Sequence, residues 1–407
     1  MIDKYGRTHE YIKNSWERAV VKPNETEMPE LYVAPFVPPC LNGKFKTLFY
    51  WDTFFTNRGM IADGFTEFAK NNVDNLLFSL DRFGFVPNAL SASGTSWCSQ
   101  PPYLHFMIRD IYEKIPDDEW LKNAYFALKK EYHFWMTERL TEIGLNRYFH
   151  LPTTEQRLIG YYDYVSKRRL NIPTDLTDRE KTFFAEHYIA AAESGHDFSP
   201  RFCNFGADII PVDLNANLYG LEKDLLDYSR RFEPKETEYF KKAIDKRKKL
   251  MDRYCLDNDG LYYDYHILKG EKQNACCSGQ FMPFITGMSS DQAASKKLLS
   301  RLEMAHGIVP TEEYRDKDGI VYQWAYPNTW APDNHLCVWA LTKMGLFADA
   351  ERVAEKYLEN VADTFEKTGK LWEKYDGVVG GVSRIAEYET TEMLGWTGGV
   401  FSCFYEK

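Results

Sequence analysis

Nothing in the sequence reads as a membrane span: its uncharged runs of 18 or more residues, 83–108 and 273–290, are interrupted by Ser, Asn, Gln, Gly and Pro rather than apolar throughout. It has no excess of basic residues either. Fifty Lys and Arg face 60 Asp and Glu, a formal charge of −10 that argues against a surface built for nucleic acid or anionic lipid. No Ser/Gly/Pro-rich linker, charge block, low-complexity tract or fixed-period repeat divides the 407 residues. That continuity fits one large toroidal or barrel-like domain better than two joined units. The eight cysteines (Cys40, Cys98, Cys203, Cys255, Cys276, Cys277, Cys337 and Cys403) lack metal-ligand spacing, and a chain this large needs no disulfide framework. Free thiols in a reducing cytoplasm are the expected setting. Met1–Gly6 shows no apolar secretory segment, with export of a mature form left open.

The familiar catalytic signatures are missing as well. There is no GxSxG elbow, HExxH helix, Walker loop or GxGxxG followed by an acid. His187 and His196 are too far apart for a helical i,i+4 metal pair. Neither a metal nor a cofactor is expected, and the oligomeric state is not legible.

What the chain does have is helical periodicity and aromatic rings. Apolar residues recur at three- and four-residue steps from Gly59 to Leu80, which predicts one amphipathic helix there. Similar patterns fall at 1–20, 103–112, 120–140, 180–192, 208–231, 234–253, 290–304, 333–343, 346–367 and 390–404. Residues 21–44 are proline-rich and read as an extended arm, so residues 1–42 are expected to lie on a catalytic body formed by 43–407. Strand signals are short, at 260–264 and 319–322. The fold class is all-α: about a dozen helices with functional loops between successive pairs.

Aromatics make up 16 % of the chain, and many gather in four clusters read as loops. These are Phe49–Phe55 around Asp52, Val86–Asn88 with Trp97–Pro102, Gln323–Pro332, and Leu371–Asp376. Each sets carboxylates or amides beside flat apolar faces, the combination that binds sugar hydroxyls and sugar C–H faces. A fifth stretch, Glu193–Phe202, ends a helical run in Gly, Ser and Pro and places Asp197 in the turn. An isolated Asp in a turn is ordinarily a cap. Glycoside hydrolysis, however, needs one protonated and one ionised carboxyl group. Asp197 and Glu373, the latter beside Lys374, are the best candidates for that pair.

These stretches resemble the trehalase family of inverting glycosidases, whose relatives include processing α-glucosidases and mannosylglycerate and glucosylglycerate hydrolases. Tyr50–Phe55 is similar to the family's YWDSYF. Pro87-Asn88 with Ser99–Pro102 is similar to PNG…RSQPP, and Glu193–Ser199 to ESGWDFS. Gln323–Pro332 is similar to the signature QWDYPNGWAP, and Glu373–Asp376 with Gly395–Thr397 to EKYD and GWTNGV. The likeness runs over residues 43–404. It implies an (α/α)6 toroid forming a single domain, with Asp197 as general acid and Glu373 as general base. It implies sugar contacts from Trp51, Asp52, Asn88, Gln100, Gly195 and Trp324. Lys44 stands where the family has an arginine, and Glu387 where it has a loop glutamate near the water. The family's arginine in RSQPP is Cys98 here, and the tryptophan of ESGWD is His196.

The expected activity is therefore inverting hydrolysis of a small α-glucoside, trehalose first. Another α-glucoside or α-mannoside, such as glucosylglycerate, is the alternative. A carbohydrate-binding protein without catalysis and a sugar phosphorylase are the readings from other classes.

Overall fold

The computed structural model describes residues 3–42, 45–168, 172–202, 204–313, 322–385 and 387–406. Within them the chain forms α1 (Lys4–Ala19), α2 (Tyr50–Ala62), α3 (Thr66–Phe83), α4 (Leu104–Lys114) and α5 (Asp118–Glu138). Next come α6 (Glu155–Arg168), α7 (Asp178–Glu193), α8 (Val212–Phe232), α9 (Thr237–Tyr254) and α10 (Met282–Thr286). The last four are α11 (Gln292–Leu302), α12 (Ala331–Lys343), α13 (Phe347–Thr368) and α14 (Gly395–Tyr405). The strands are only two or three residues long.

Burial sorts these helices into two rings. In α12 every residue from Ala331 to Leu341 is buried, and in α14 every residue from Gly395 to Phe404. α13 instead buries a stripe, Ala350, Val353, Tyr357, Asn360, Val361 and Thr364, at three- and four-residue spacing. The inner ring runs α2–α4–α8–α10–α12–α14 and closes where α14 packs along α2. The α4–α8 step is bridged by His105, whose ring nitrogens lie 2.7 Å from Asp224 and 2.8 Å from Asn217. Helices α1, α3, α5, α9, α11 and α13 pack outside, with α1 against both α13 and α14. This is the (α/α)6 toroid, and the α6–α7 hairpin is added to it between α5 and α8.

Ring closure depends on bare backbone. A Cβ on Gly59 of α2 would fall on the main chain of Gly399 in α14, and one on Gly399 would fall on the Phe55 carbonyl. Glycine at both positions lets the two helices touch main chain to main chain.

The sequence pattern misplaced several boundaries: the helices expected from 208 and 390 start at Val212 and Gly395, and α6 and α10 were not among the expected helices. The helix expected from Gly59 to Leu80 is two helices, broken at Asp63-Gly64, where Gly64 takes φ +90°. The first cluster, Phe49–Phe55, read as a loop, is the start of α2. Buried on all sides, α2 shows no amphipathic repeat, so only α3 was visible. The strand signal at 260–264 yields an isolated bridge at Tyr262, with the strand itself at Tyr265–His266. Residues 319–321 lie outside the described residues. Among the described residues no helix is long and apolar enough to cross a membrane. Seven cysteines are described, all free and buried.

Candidate active site

The turn that bears Asp197 is fixed from beneath. α7 ends at Glu193, which is fully buried. Its two carboxylate oxygens accept from Arg139 Nε and Nη2, each at 2.8 Å. They also accept from the backbone N–H groups of Ser99 and Phe149 at 2.8 Å. One acid thereby ties the end of α7 to the end of α5 and to the loop carrying Gln100. The chain then turns at Gly195, φ +77°. A Cβ there would stand 2.6 Å from the Trp51 indole, so glycine serves both the conformation and the close approach. Phe198 follows Asp197 at φ +62°, a costly conformation for a side chain of that size, held because its ring is buried against Tyr188.

Glu373 is placed by a different device. Two of the sequence clusters meet as an antiparallel ribbon, Asn328–Trp330 against Lys374–Asp376, with Trp330 opposite Lys374. Glu373 precedes the second strand and is buried. Its Oε1 accepts from the Tyr388 hydroxyl at 2.6 Å, and its Oε2 lies 3.3 Å from Lys374 Nζ. Its carbonyl accepts from the Trp396 indole N–H at 3.0 Å. Lys374, wholly buried, sits over the rings of Trp330 and Tyr388 at 4.9 and 4.8 Å.

Asp197 and Glu373 line one cavity of about 280 Å³, together with Trp51, Asp52, Asn88, Gln100, Gly195 and Trp324. Phe45, Phe49, Trp97, Tyr161, Tyr164, Trp330, Tyr388 and Trp396 complete its aromatic wall. Trp324 stacks face to face on Trp330 with centroids 3.9 Å apart. The Gln100 amide oxygen accepts from the Trp51 backbone N–H at 3.1 Å, and the Asn88 carbonyl accepts from that of Tyr50 at 3.1 Å. Asp52 titrates at about 8, because burial disfavours its charge and the nearby charges of Glu373 and Asp197 add to the effect. At neutral pH it is mostly a neutral acid able to donate a hydrogen bond.

Two sequence candidates stand apart. Lys44 lies outside the described residues. Glu387 does not line the cavity, and its Oε1 accepts from the Gln323 backbone N–H at 3.5 Å. His196 points behind the wall. Its ring packs 4.8 Å from Trp324, its Nε2 is 3.8 Å from Asp333, and burial with the Arg201 charge holds it down to about 3. It is therefore neutral packing behind Trp324. Sequence reasoning missed Tyr161 and Tyr164 on α6, whose i,i+3 spacing was the available signal. It also missed Tyr388, for which the available signal was its place directly after the loop glutamate Glu387.

A closed double ring with carboxyl groups at the foot of an aromatic-walled cavity is the architecture of the (α/α)6 glycosidase class. The trehalase family profile matches residues 2–407, and the chain belongs to that family. Trehalase from Apis mellifera is 31 % identical over 409 residues, a match covering 91 % of this chain and 63 % of that protein. The chain thus spans under two thirds of that relative's length. Periplasmic trehalase of Salmonella agona (strain SL483) is 29 % identical over 402 residues, covering 92 % of this chain and 67 % of that protein. The solved structure of neutral trehalase Nth1 from Saccharomyces cerevisiae superposes with a TM-score of 0.76 at 24 % identity, covering 91 % of this chain and 73 % of that one, a likeness of fold.

Proposed function

We propose that this chain is an inverting glycosidase whose substrate is trehalose. The observation that carries the reading is that the two carboxyls singled out by the motifs share one cavity walled by tryptophan and tyrosine. Asp197 protonates the oxygen between the sugars. Glu373 takes a proton from a water on the opposite face of the ring, and the water oxygen bonds to the anomeric carbon as the glycosidic bond breaks. Two donors, Tyr388 and Lys374, meet the Glu373 oxygens, as an ionised base requires. Asp52, neutral below about 8, donates to a sugar hydroxyl, and Trp324, backed by Trp330, offers a flat face to the ring. The free, buried cysteines suit a reducing compartment, and we take the cytoplasm as the setting.

Proton NMR of trehalose during the first minutes of turnover tests this reading. Inversion releases one β-glucose from the attacked ring for each α-glucose from the leaving one. Asp197→Asn and Glu373→Gln should each cost about 10²- to 10⁴-fold in kcat. Two α-glucose products, or full activity in either variant, would overturn it.

A further inference from the structure

The segment 383–393, which leads from the Lys374–Asp376 strand towards α14, is pinned at both ends. Near its start, Asn328 Nδ2 donates to the Ile385 carbonyl at 2.9 Å, and the Ser383 hydroxyl donates to Asn328 Oδ1. At its end the Thr391 carbonyl accepts from the Glu373 N–H at 3.0 Å, and the Met393 N–H donates to the Leu371 carbonyl at 3.0 Å. Tyr388 stands between the anchors, its ring under the buried ammonium of Lys374 and its hydroxyl 2.6 Å from Glu373 Oε1. Its neighbour Glu387, the residue that sequence likeness would put near the reacting water, turns instead to the Gln323 backbone.

We infer that Tyr388, not Glu387, is the positioning residue for the base: its phenol fixes Glu373 Oε1 and directs the carboxylate's remaining lone pairs at the water. The inference rests on Glu373 being the base. A carboxylate has about four lone-pair sites. Tyr388 occupies one, and the bond fixes the rotation of the carboxyl plane, which a lone Lys374 contact at 3.3 Å leaves loose. Among the described residues, the other titratable groups facing Glu373 are Lys374, which follows it, Asp52 on α2, Cys40 on the arm and Asp197 across the cavity. None of them stands on the loop that carries Tyr388. Truncating the phenol to phenyl removes this donor and keeps the ring beneath Lys374.

The test uses the full chain with trehalose. Tyr388→Phe should lower kcat about tenfold with KM within about twofold, and raise the acidic limb of the kcat/KM profile by about one pH unit, since loss of a donor favours the protonated carboxyl. Fluorotyrosine at position 388, a stronger donor, should move that limb the opposite way, which a merely structural role would not do. An infrared difference spectrum against Glu373→Gln reads the carboxylate stretch without turnover. The stretch should shift in Tyr388→Phe and hold its wild-type position in Glu387→Gln. Turnover with an unmoved limb and an unmoved band in Tyr388→Phe overturns the Tyr388 role. A shifted band with full activity in Glu373→Gln overturns the base assignment and leaves the hydrogen bond standing.

Discussion

Arg139 and Glu193 form a buried bidentate pair, two N–H···O bonds of 2.8 Å each, at the point where α7 gives way to the Asp197 turn. The pair does not line the cavity, yet its acid also holds the backbones of Ser99 and Phe149. It is the joint on which two of the cavity-lining loops, those of Gln100 and Asp197, hang.

Breaking that joint from one side leaves an uncompensated buried charge. Arg139→Met should cost about 3–5 kcal/mol in stability, read from urea denaturation. Adding Glu193→Gln should recover part of the loss, because the stranded charge is removed while an acceptor remains for the backbone donors. Additive losses in the double variant would contradict the pairing.

Gly195→Ala should fail for two reasons at once. Its φ of +77° is poorly tolerated by alanine, and the new methyl would stand 2.6 Å from Trp51. A loss of about 1–3 kcal/mol is expected, with kcat reduced more than KM because the displaced turn carries Asp197. Thermal unfolding and steady-state kinetics on the same preparation check both. An unaltered melting temperature would show that the turn relaxes freely.

Asp52 makes stability depend on pH with a definite sign. Its folded value, about 8, lies above the ordinary 3.8, so the folded state holds a proton that the unfolded chain has released. The stabilisation is full below about pH 4, declines as pH rises, and is gone above about 8. Asp52→Asn should therefore gain stability relative to wild type steadily across that window and level off beyond it. Melting temperatures taken from pH 4 to 9 test this. Parallel curves would mean that Asp52 ionises freely in the fold.

Much of the site was legible because its motifs are local in sequence. Asp197, Glu373, Trp51 and Trp324 each sit in a cluster where aromatic and polar residues alternate, and the structure brings all four to one cavity. The role of Tyr388 was passed over although it follows Glu387 directly, since its meaning lies in a contact with a residue 15 positions away. α2 escaped for a related reason. A helix enclosed on every side has no polar face, and without contrast there is no period to read. α13, with water on one side, was visible at once.

The contact of Gly59 with Gly399 fixes what kind of length change this fold can accept. α2 carries Trp51 and Asp52 in its first turn, and α14 carries Trp396 in its first turn, so the two helices deliver cavity-lining residues from their starts. At the contact of Gly59 with Gly399 there are no side chains to trim or rotate. One residue inserted upstream of the glycine in either helix would turn its start by about 100° and advance it by about 1.5 Å, carrying an indole off the cavity wall. Insertions in this architecture therefore belong in the connections, as the α6–α7 hairpin illustrates, while the spacing from Trp51 to Gly59 and from Trp396 to Gly399 is held to the residue.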